Sequence, residues 1–301
     1  MKNNQLMIYG AYGYAGELMV REAVAQGLRP IIAGRDDEKL KPIATELSLE
    51  CRAFGVRNTG SNLQDISVLL NCAGPFSATA EPLARACLAQ QIHYLDITGE
   101  IDIFRKCHAL DEEARQQNVL ILPGAGTDIV PTDCLAAMLK EKLPAATRID
   151  LALSFGTNPS IGTVNTMIES FGKGSLIREG GMLKVVSNAF QMRKIPFQNK
   201  PQWAMTIPWG DVFTSGISTG VPDGAVYMAM PRMSIYMIRL TNPVKGILNT
   251  QFGQKITKRL AGWLMKKGPD AKALEAGRGQ FWGEAEAPDG EKLEMTMSTP
   301  N

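Results

Sequence analysis

The chain has few of the side chains that usually announce a catalytic site. It holds only two histidines, His93 and His108, in 301 residues, although imidazole is the commonest acid–base group near neutral pH. Its five cysteines (Cys51, Cys72, Cys87, Cys107 and Cys134) are odd in number and widely spaced, with no Cys-x-x-Cys pair. That spacing suggests neither a zinc site nor a disulfide framework, so no metal is expected and the thiols read as reduced, in a cytoplasmic protein. Charge of one sign is also lacking: a net charge of +2 points to neither nucleic acid nor a strongly acidic partner. No apolar run approaches the roughly 20 residues that span a bilayer. Lys2 is the one charged residue before the apolar run that begins at Leu6, so neither a transmembrane segment nor a signal peptide is expected. The length is too great for one small core and suits two domains.

Glycine, by contrast, is concentrated near the start. The order is an apolar run Leu6–Tyr9, then Gly10-Ala11-Tyr12-Gly13-Tyr14-Ala15-Gly16, then helical spacing over Glu17 to Gln26, then Pro30 to Arg35. Strand, glycine turn, helix and strand in that order form a dinucleotide-binding βαβ unit. One glycine makes the tight turn, one admits a pyrophosphate, and one lets the helix pack close to the sheet. The helix N-terminus offers unpaired N–H groups and partial positive charge to the phosphates. Gly13 and Gly16 match the last two glycines of the common fingerprint, whereas Ala11 stands where its first would be and Gly10 is extra. An ordinary structural turn is the alternative. The candidate phosphate-binding residues are Gly10, Tyr12, Gly13, Tyr14, Ala15 and Gly16. Arg35 ends the second strand where an NAD-binding unit usually has a carboxylate, and a guanidinium there suits the 2′-phosphate of NADP. A solvated loop charge is the other reading of Arg35. Asp36 and Asp37 read as the cap and first turn of a helix to Leu47.

Strands and helices go on alternating to about residue 122, which predicts a parallel sheet covered on both faces. Pro131 then opens a helix to about Lys142. Ligands of such sheets bind beyond the carboxyl ends of the strands. That rule selects Asn71, Cys72, Ala73, Gly74 and Pro75 as further cofactor-binding candidates, and Glu100 and Asp128 as candidate catalytic carboxylates. Helix capping is the plainer alternative for both carboxylates. Cys72 reads as a packing residue with backbone contact to the cofactor. His93 lies at the wrong end of its strand and His108 within a helix, so both read as structural.

From about Arg148 the texture changes to short β-like runs separated by Gly, Pro and Asp, closing with a hairpin about Pro288-Asp289-Gly290. The fold expected is therefore α/β, a Rossmann-type doubly wound parallel sheet over residues 1–146, followed by an α+β domain with a mainly antiparallel sheet over 147–301. Helices are expected over Thr163–Phe171 and Pro243–Gly268. In the latter, Leu248, Phe252, Ile256, Leu260 and Leu264 share one face among lysines with no acidic residue. Such a helix packs its stripe on its own sheet or, through 244–267, makes a peripheral membrane contact.

Several of these pieces resemble the saccharopine dehydrogenase-like, NADP-binding oxidoreductases, in particular the branch of trans-acting enoyl reductases. They are the Gly10–Gly16 turn, Ala33-Gly34-Arg35, Asn71–Phe76, Tyr94–Glu100, Gly126–Asp133, Ile207–Asp211 and Ser218–Pro222. Tyr12 and Ala15 stand where the family more often has threonines, which leaves the phosphate grip to backbone amides. Relatives usually run on into further helix after the closing hairpin, so the second domain is expected to lack some C-terminal helices. The resemblance implies an NADPH-dependent reductase of an enoyl thioester or other lipid-like substrate, small or carrier-bound. The alternatives are a saccharopine-type imine reductase acting on an amino acid, and a non-catalytic NADP(H)-binding sensor or scaffold. A homodimer is the expected assembly.

Overall fold

The structure is a computed structural model that describes residues 5–155, 174–244, 250 and 278–300. The helices expected over 163–171 and 243–268, and with them the membrane contact through 244–267, lie outside the described residues. The chain divides into two compact units, Met1–Val130 and Pro131–Asn301.

The first unit holds a six-stranded parallel sheet in the order β3-β2-β1-β4-β5-β6. Its strands are β1 Leu6–Tyr9, β2 Ile31–Gly34, β3 Cys51–Ala53, β4 Val68–Asn71, β5 His93–Asp96 and β6 Ile121–Leu122. The order reverses between β1 and β4, the switch point at which doubly wound sheets bind ligands. Alternate residues of β1 serve opposite cores. Ile8 packs with Val20 of α1 (Tyr14–Ala25) and with Leu40 and Ile43 of α2 (Asp37–Leu47). Met7 and Tyr9 pack with Leu83 and Cys87 of α3 (Phe76–Ala89), Ile103 and Cys107 of α4 (Ile101–His108) and Ala114 of α5 (Asp111–Gln117). Both faces are thus covered, as the near-continuous apolar runs require. Two elements differ from the sequence expectation. α3 begins at Phe76 rather than Glu81 and carries Pro82 within it. The helix expected over 103–117 is broken at Ala109–Leu110, where the Leu110 side chain turns into the core.

The second unit opens with α6 (Val130–Lys142), which lies at the boundary and ends just before the division expected at 146. Its sheet runs β10-β11-β12-β7-β13-β14, with β8 paired to β12 and β9. The strands are β7 Arg148–Phe155, β8 Ser175–Glu179, β9 Met182–Val186, β10 Met192–Pro196, β11 Pro201–Thr206, β12 Asp223–Ala229, β13 Arg278–Glu286 and β14 Lys292–Pro300. All pairs are antiparallel except β12 with β7. α6 packs on this sheet: a Cβ at Gly283 would stand 2.6 Å from Leu139 and 3.3 Å from Leu135, so only glycine admits the helix there. Two further helices, α7 (Asp211–Thr219) and α8 (Arg232–Leu240), complete the described part.

Candidate functional site

The glycine turn is built by backbone contact. Gly10 has φ +87°, in the left-handed region that glycine adopts without strain, and a Cβ there would lie 2.7 Å from the Ala73 nitrogen. At Gly16 a Cβ would lie 2.1 Å from the Gly10 carbonyl oxygen, so Gly16 is what brings α1 down onto the end of β1. Gly13 caps α1 in extended conformation, and its N–H donates to the Gly10 carbonyl at 2.9 Å. The N–H groups of Tyr14, Ala15 and Gly16 open the helix and have no carbonyl one turn earlier to accept them. They form the anion-seeking end of the helix dipole.

Beyond β2, Arg35 is exposed and makes no hydrogen bond or ion pair among the described residues. Asp36 caps α2, accepting from the Lys39 N–H at 3.3 Å, and pairs with the Lys39 ammonium at 3.5 Å. The Tyr12 ring lies across Gly34, where a Cβ would be 2.6 Å from the ring, and the Lys39 ammonium stands 5.7 Å from the ring centroid. A second cation therefore sits near the strand end, one that sequence reading did not single out. Deep glycine cradles, an open helix N-terminus and an unpartnered guanidinium fit a dinucleotide carrying a 2′-phosphate.

The loop after β4 is held by a buried polar network that sequence reading also missed. Asn71 accepts from the Ala73 N–H at 3.0 Å and donates to Tyr94 Oη at 3.1 Å. Tyr94 donates to Asp96 at 2.8 Å, and Asp96 accepts from the N–H groups of Thr98 at 3.0 Å and Gly124 at 2.9 Å. Thr79 donates to the Ala73 carbonyl at 2.6 Å. The chain of contacts fixes the loops after β4, β5 and β6 to one another. Burial pushes Asp96 above the usual carboxylate range, against the pull of its three donors. The signal was present as polar residues, Asn71 closing the apolar β4 and Tyr94 and Asp96 in β5. Cys72 is buried, and burial pushes its thiol up to about 12. It is no nucleophile at neutral pH.

Glu100 stands at the N-cap of α4 without capping it through its side chain, and its own N–H donates to Thr98 Oγ1 at 3.1 Å. Asp128 is exposed as a residue, yet its carboxylate turns in over Gly99, with Oδ2 3.6 Å from where a Cβ would be. Desolvation of that end raises its pKa. The two candidate carboxylates thus come from neighbouring loops, Asp128 lying beside the residue before Glu100. His93 Nδ1 accepts from the Leu120 N–H at 3.0 Å and so positions the approach to β6, while His108 is an exposed helical residue. Among the described residues no group of three or more His, Cys, Asp or Glu is placed to hold a metal ion. No helix there is long and apolar enough to cross a membrane.

In the second unit the arginines of the first strands are engaged internally. Arg193 grips Glu284 with both terminal nitrogens at 3.0 and 3.1 Å, reaches Asp150 at 3.3 Å, and lies 4.7 Å over the Trp282 ring. Arg148 donates twice to Asp150 at 2.9 and 3.2 Å. Arg178 is buried between β8 and α7, with its Nε on the Val221 carbonyl at 3.0 Å and Nη1 on the Val212 carbonyl and Ser215 Oγ at 2.5 and 3.1 Å. Gly216 and Gly224 make room for it.

Comparison with known proteins agrees with this geometry. Residues 6–122 match the saccharopine dehydrogenase NADP binding domain. The chain is 26% identical over 232 residues to a saccharopine dehydrogenase-like oxidoreductase of Rattus norvegicus, covering 67% of this chain and 53% of that protein. It is 27% identical over 145 residues to a putative trans-acting enoyl reductase of Mycobacterium tuberculosis, covering 42% and 33%. The chain spans about half the length of the curated relatives that it matches over most of its own. Among solved structures, apo saccharopine dehydrogenase (L-Glu forming) from Saccharomyces cerevisiae shares the fold, with TM-score 0.65 at 9% identity over 99% of this chain and 85% of that one. With a glycine turn, a switch point and an exposed arginine beyond the second strand, the first unit matches the saccharopine dehydrogenase NADP binding domain along almost its whole length, and the chain is similar over two thirds of its length to saccharopine dehydrogenase-like oxidoreductases.

Proposed function

We propose that the chain is an NADPH-dependent reductase of an apolar, lipid-like unsaturated substrate, most simply an enoyl thioester, free or on a carrier. The observation that carries the substrate class is the engagement of Arg178 and Arg193. An amino-acid substrate brings a carboxylate, and a carboxylate calls for a guanidinium with donors to spare. Arg193 has both terminal nitrogens on Glu284, and Arg178 is enclosed, with Nε and Nη1 on the Val221 and Val212 carbonyls and Ser215 Oγ and only its buried Nη2 without a partner. An unsaturated thioester needs no such clamp, and similarity to a putative enoyl reductase supports the same reading.

In this reading the amides of Tyr14 to Gly16, reached past Gly10, Tyr12 and Gly13, hold the pyrophosphate, and Arg35 holds the 2′-phosphate. The backbone of Asn71, Cys72, Ala73, Gly74 and Pro75 lines the path of the cofactor, fixed by the Asn71–Tyr94–Asp96 network. The bound cofactor supplies a hydride. Glu100 and Asp128 manage the accompanying proton, and desolvation raises the pKa of Asp128. The assembly in this reading is a cytoplasmic homodimer.

The test is loss of nicotinamide absorbance with a panel of substrates. Oxidation of NADPH by an enoyl thioester supports the proposal. Oxidation only with an amino acid and a carbonyl compound together would replace it by the imine-reducing reading. Tight NADPH binding without turnover would replace it by a sensor or scaffold. Asp128→Asn and Glu100→Gln should each lower kcat by about 10²-fold or more while leaving NADPH affinity unchanged.

A further inference from the structure

The end of β2 carries more than Arg35. In a dinucleotide-binding sheet the group at the end of the second strand faces the 2′ position of the adenosine ribose, so whatever else gathers there bears on that position. The glycine turn is tied to this strand end, since the N–H groups of Gly10 and Ala11 donate to the Ala33 carbonyl at 2.7 and 3.2 Å. That brings Tyr12 beside Gly34. The backbone of Gly34 is not left-handed, so no turn calls for glycine there. A Cβ would instead strike the Tyr12 ring at 2.6 Å, and the missing side chain makes a seat for that ring. The Lys39 ammonium lies over it, 5.7 Å from the centroid, within the range of a cation–π contact. Burial raises the pKa of Tyr9, whose hydroxyl donates to the Phe54 carbonyl at 2.9 Å; Tyr12 adds to the rise and Arg35 opposes it. Tyr12 and Arg35 therefore share one corner, within electrostatic reach of the same buried oxygen.

Lys39 is poorly explained by its own helix. It is the third residue of α2, where a cation opposes the helix dipole. Its ion pair with Asp36, at 3.5 Å, joins two exposed side chains, and such pairs contribute little. The other carboxylates of that turn, Asp37 and Glu38, are on Lys41 at 2.8 and 2.7 Å. A 2′-phosphate carries about −1.5 to −2 charges near neutral pH and three acceptor oxygens, more than the single charge of Arg35 matches. An ammonium with three donors on a flexible four-carbon stem can turn from Asp36 to meet the remainder. We propose that Lys39 is a second ligand of the 2′-phosphate beside Arg35, held at that corner by the ring of Tyr12. Lys39 is then a specificity-determining residue, and Tyr12 a positioning residue that acts through it. The inference rests on the cofactor placement proposed above and not on the substrate.

The test is a binding titration of the full chain with NADPH and NADH, and with adenosine 2′,5′-bisphosphate and adenosine 5′-monophosphate, which carry the same difference without a nicotinamide. Lys39→Met should weaken NADPH and the bisphosphate about tenfold and leave NADH and the monophosphate unchanged. Tyr12→Ala should lower the preference for NADPH over NADH several-fold, and Tyr12→Phe, which keeps the ring, should retain it. In the Lys39→Met background Tyr12→Ala should lower the preference no further, since the two side chains act as one unit. Equal losses for NADPH and NADH in Lys39→Met, or a Tyr12→Phe protein as impaired as Tyr12→Ala, would overturn the proposal. So would a Lys39→Met protein with the parent's preference; if Arg35→Ala abolishes that preference, the cofactor placement stands without Lys39. No preference for NADPH in the unaltered protein would overturn the placement and this inference with it.

Discussion

Gly16 and Gly13 lie three residues apart in one turn, and the structure gives them separable duties. A Cβ at Gly16 would stand 2.1 Å from the Gly10 carbonyl oxygen, about 1.3 Å inside ordinary van der Waals contact. Both partners are backbone, so relief requires α1 to move away from β1 by a comparable amount. Overpacking of that kind costs about 3 kcal/mol, which in a unit of this size lowers the melting temperature by roughly 10 °C. The N–H groups of Tyr14 to Gly16 would move with the helix, and NADPH affinity should fall at least about tenfold. At Gly13 the backbone is extended (φ −78°, ψ 159°), and a Cβ would meet only the Gly10 oxygen, at 3.2 Å. Gly13→Ala should cost under about 1 kcal/mol, yet its methyl would stand where the pyrophosphate approaches, so affinity should drop about tenfold or more at nearly unchanged melting temperature. Thermal unfolding with and without NADPH, beside a binding titration, reads both quantities. A Gly16→Ala protein as stable as the parent, or a Gly13→Ala protein destabilised to the same extent, would refute the assignment.

Arg35→Ala should weaken NADPH roughly 10- to 100-fold while leaving NADH unchanged, since only the 2′-phosphate distinguishes them; equal losses for the two cofactors would sink the assignment. Burial pushes the thiols of Cys72, Cys87 and Cys107 up to about 12, so iodoacetamide at mildly alkaline pH should label exposed Cys134 and spare those three in the folded protein, as peptide mapping would show. Asp96 titrates above its unfolded value because burial disfavours its charge. Its contribution to stability is therefore full below about pH 3.9 and is lost as pH rises through the folded-state pKa. In urea unfolding, Asp96→Asn should remove that fall, and a stability difference between parent and variant that is constant with pH would contradict it.

The first unit was legible because a parallel sheet buried on both faces writes its strands as apolar runs, and because glycine at 10 and 16 leaves a mark that packing explains. Asp36 reads as a cap from sequence and serves as one. Asn71, Tyr94 and Asp96 stand out in the sequence one by one, but their network was not legible, since it depends on the register that sets Asn71 beside Asp96 across β4 and β5. The second unit was harder. α7 contains Thr214, Ser215, Gly216, Ser218 and Thr219, poor helix formers that read as loop. α8 encloses Ile235 but leaves Met233, Met237 and Leu240 exposed, so the usual link between periodicity and core misleads. β8 carries a buried arginine, Arg178, that no local pattern marks as internal.

The place of β7 in the second sheet bears on how the chain is made. Its partners are β12, which begins at Asp223, and β13, which begins at Arg278. During synthesis, about 120 residues separate the end of β7 from the start of β13, so at about 5–20 residues per second the strand waits roughly 6–25 s for its second neighbour. Through that interval one edge of Arg148–Phe155, mostly buried apolar residues in the finished sheet, offers unpaired backbone groups to any strand nearby. The nascent second unit is therefore most vulnerable to mispairing before β13 is made, and a chaperone or a neighbouring segment that shields this edge would raise the yield of folded protein without touching the nucleotide-binding unit.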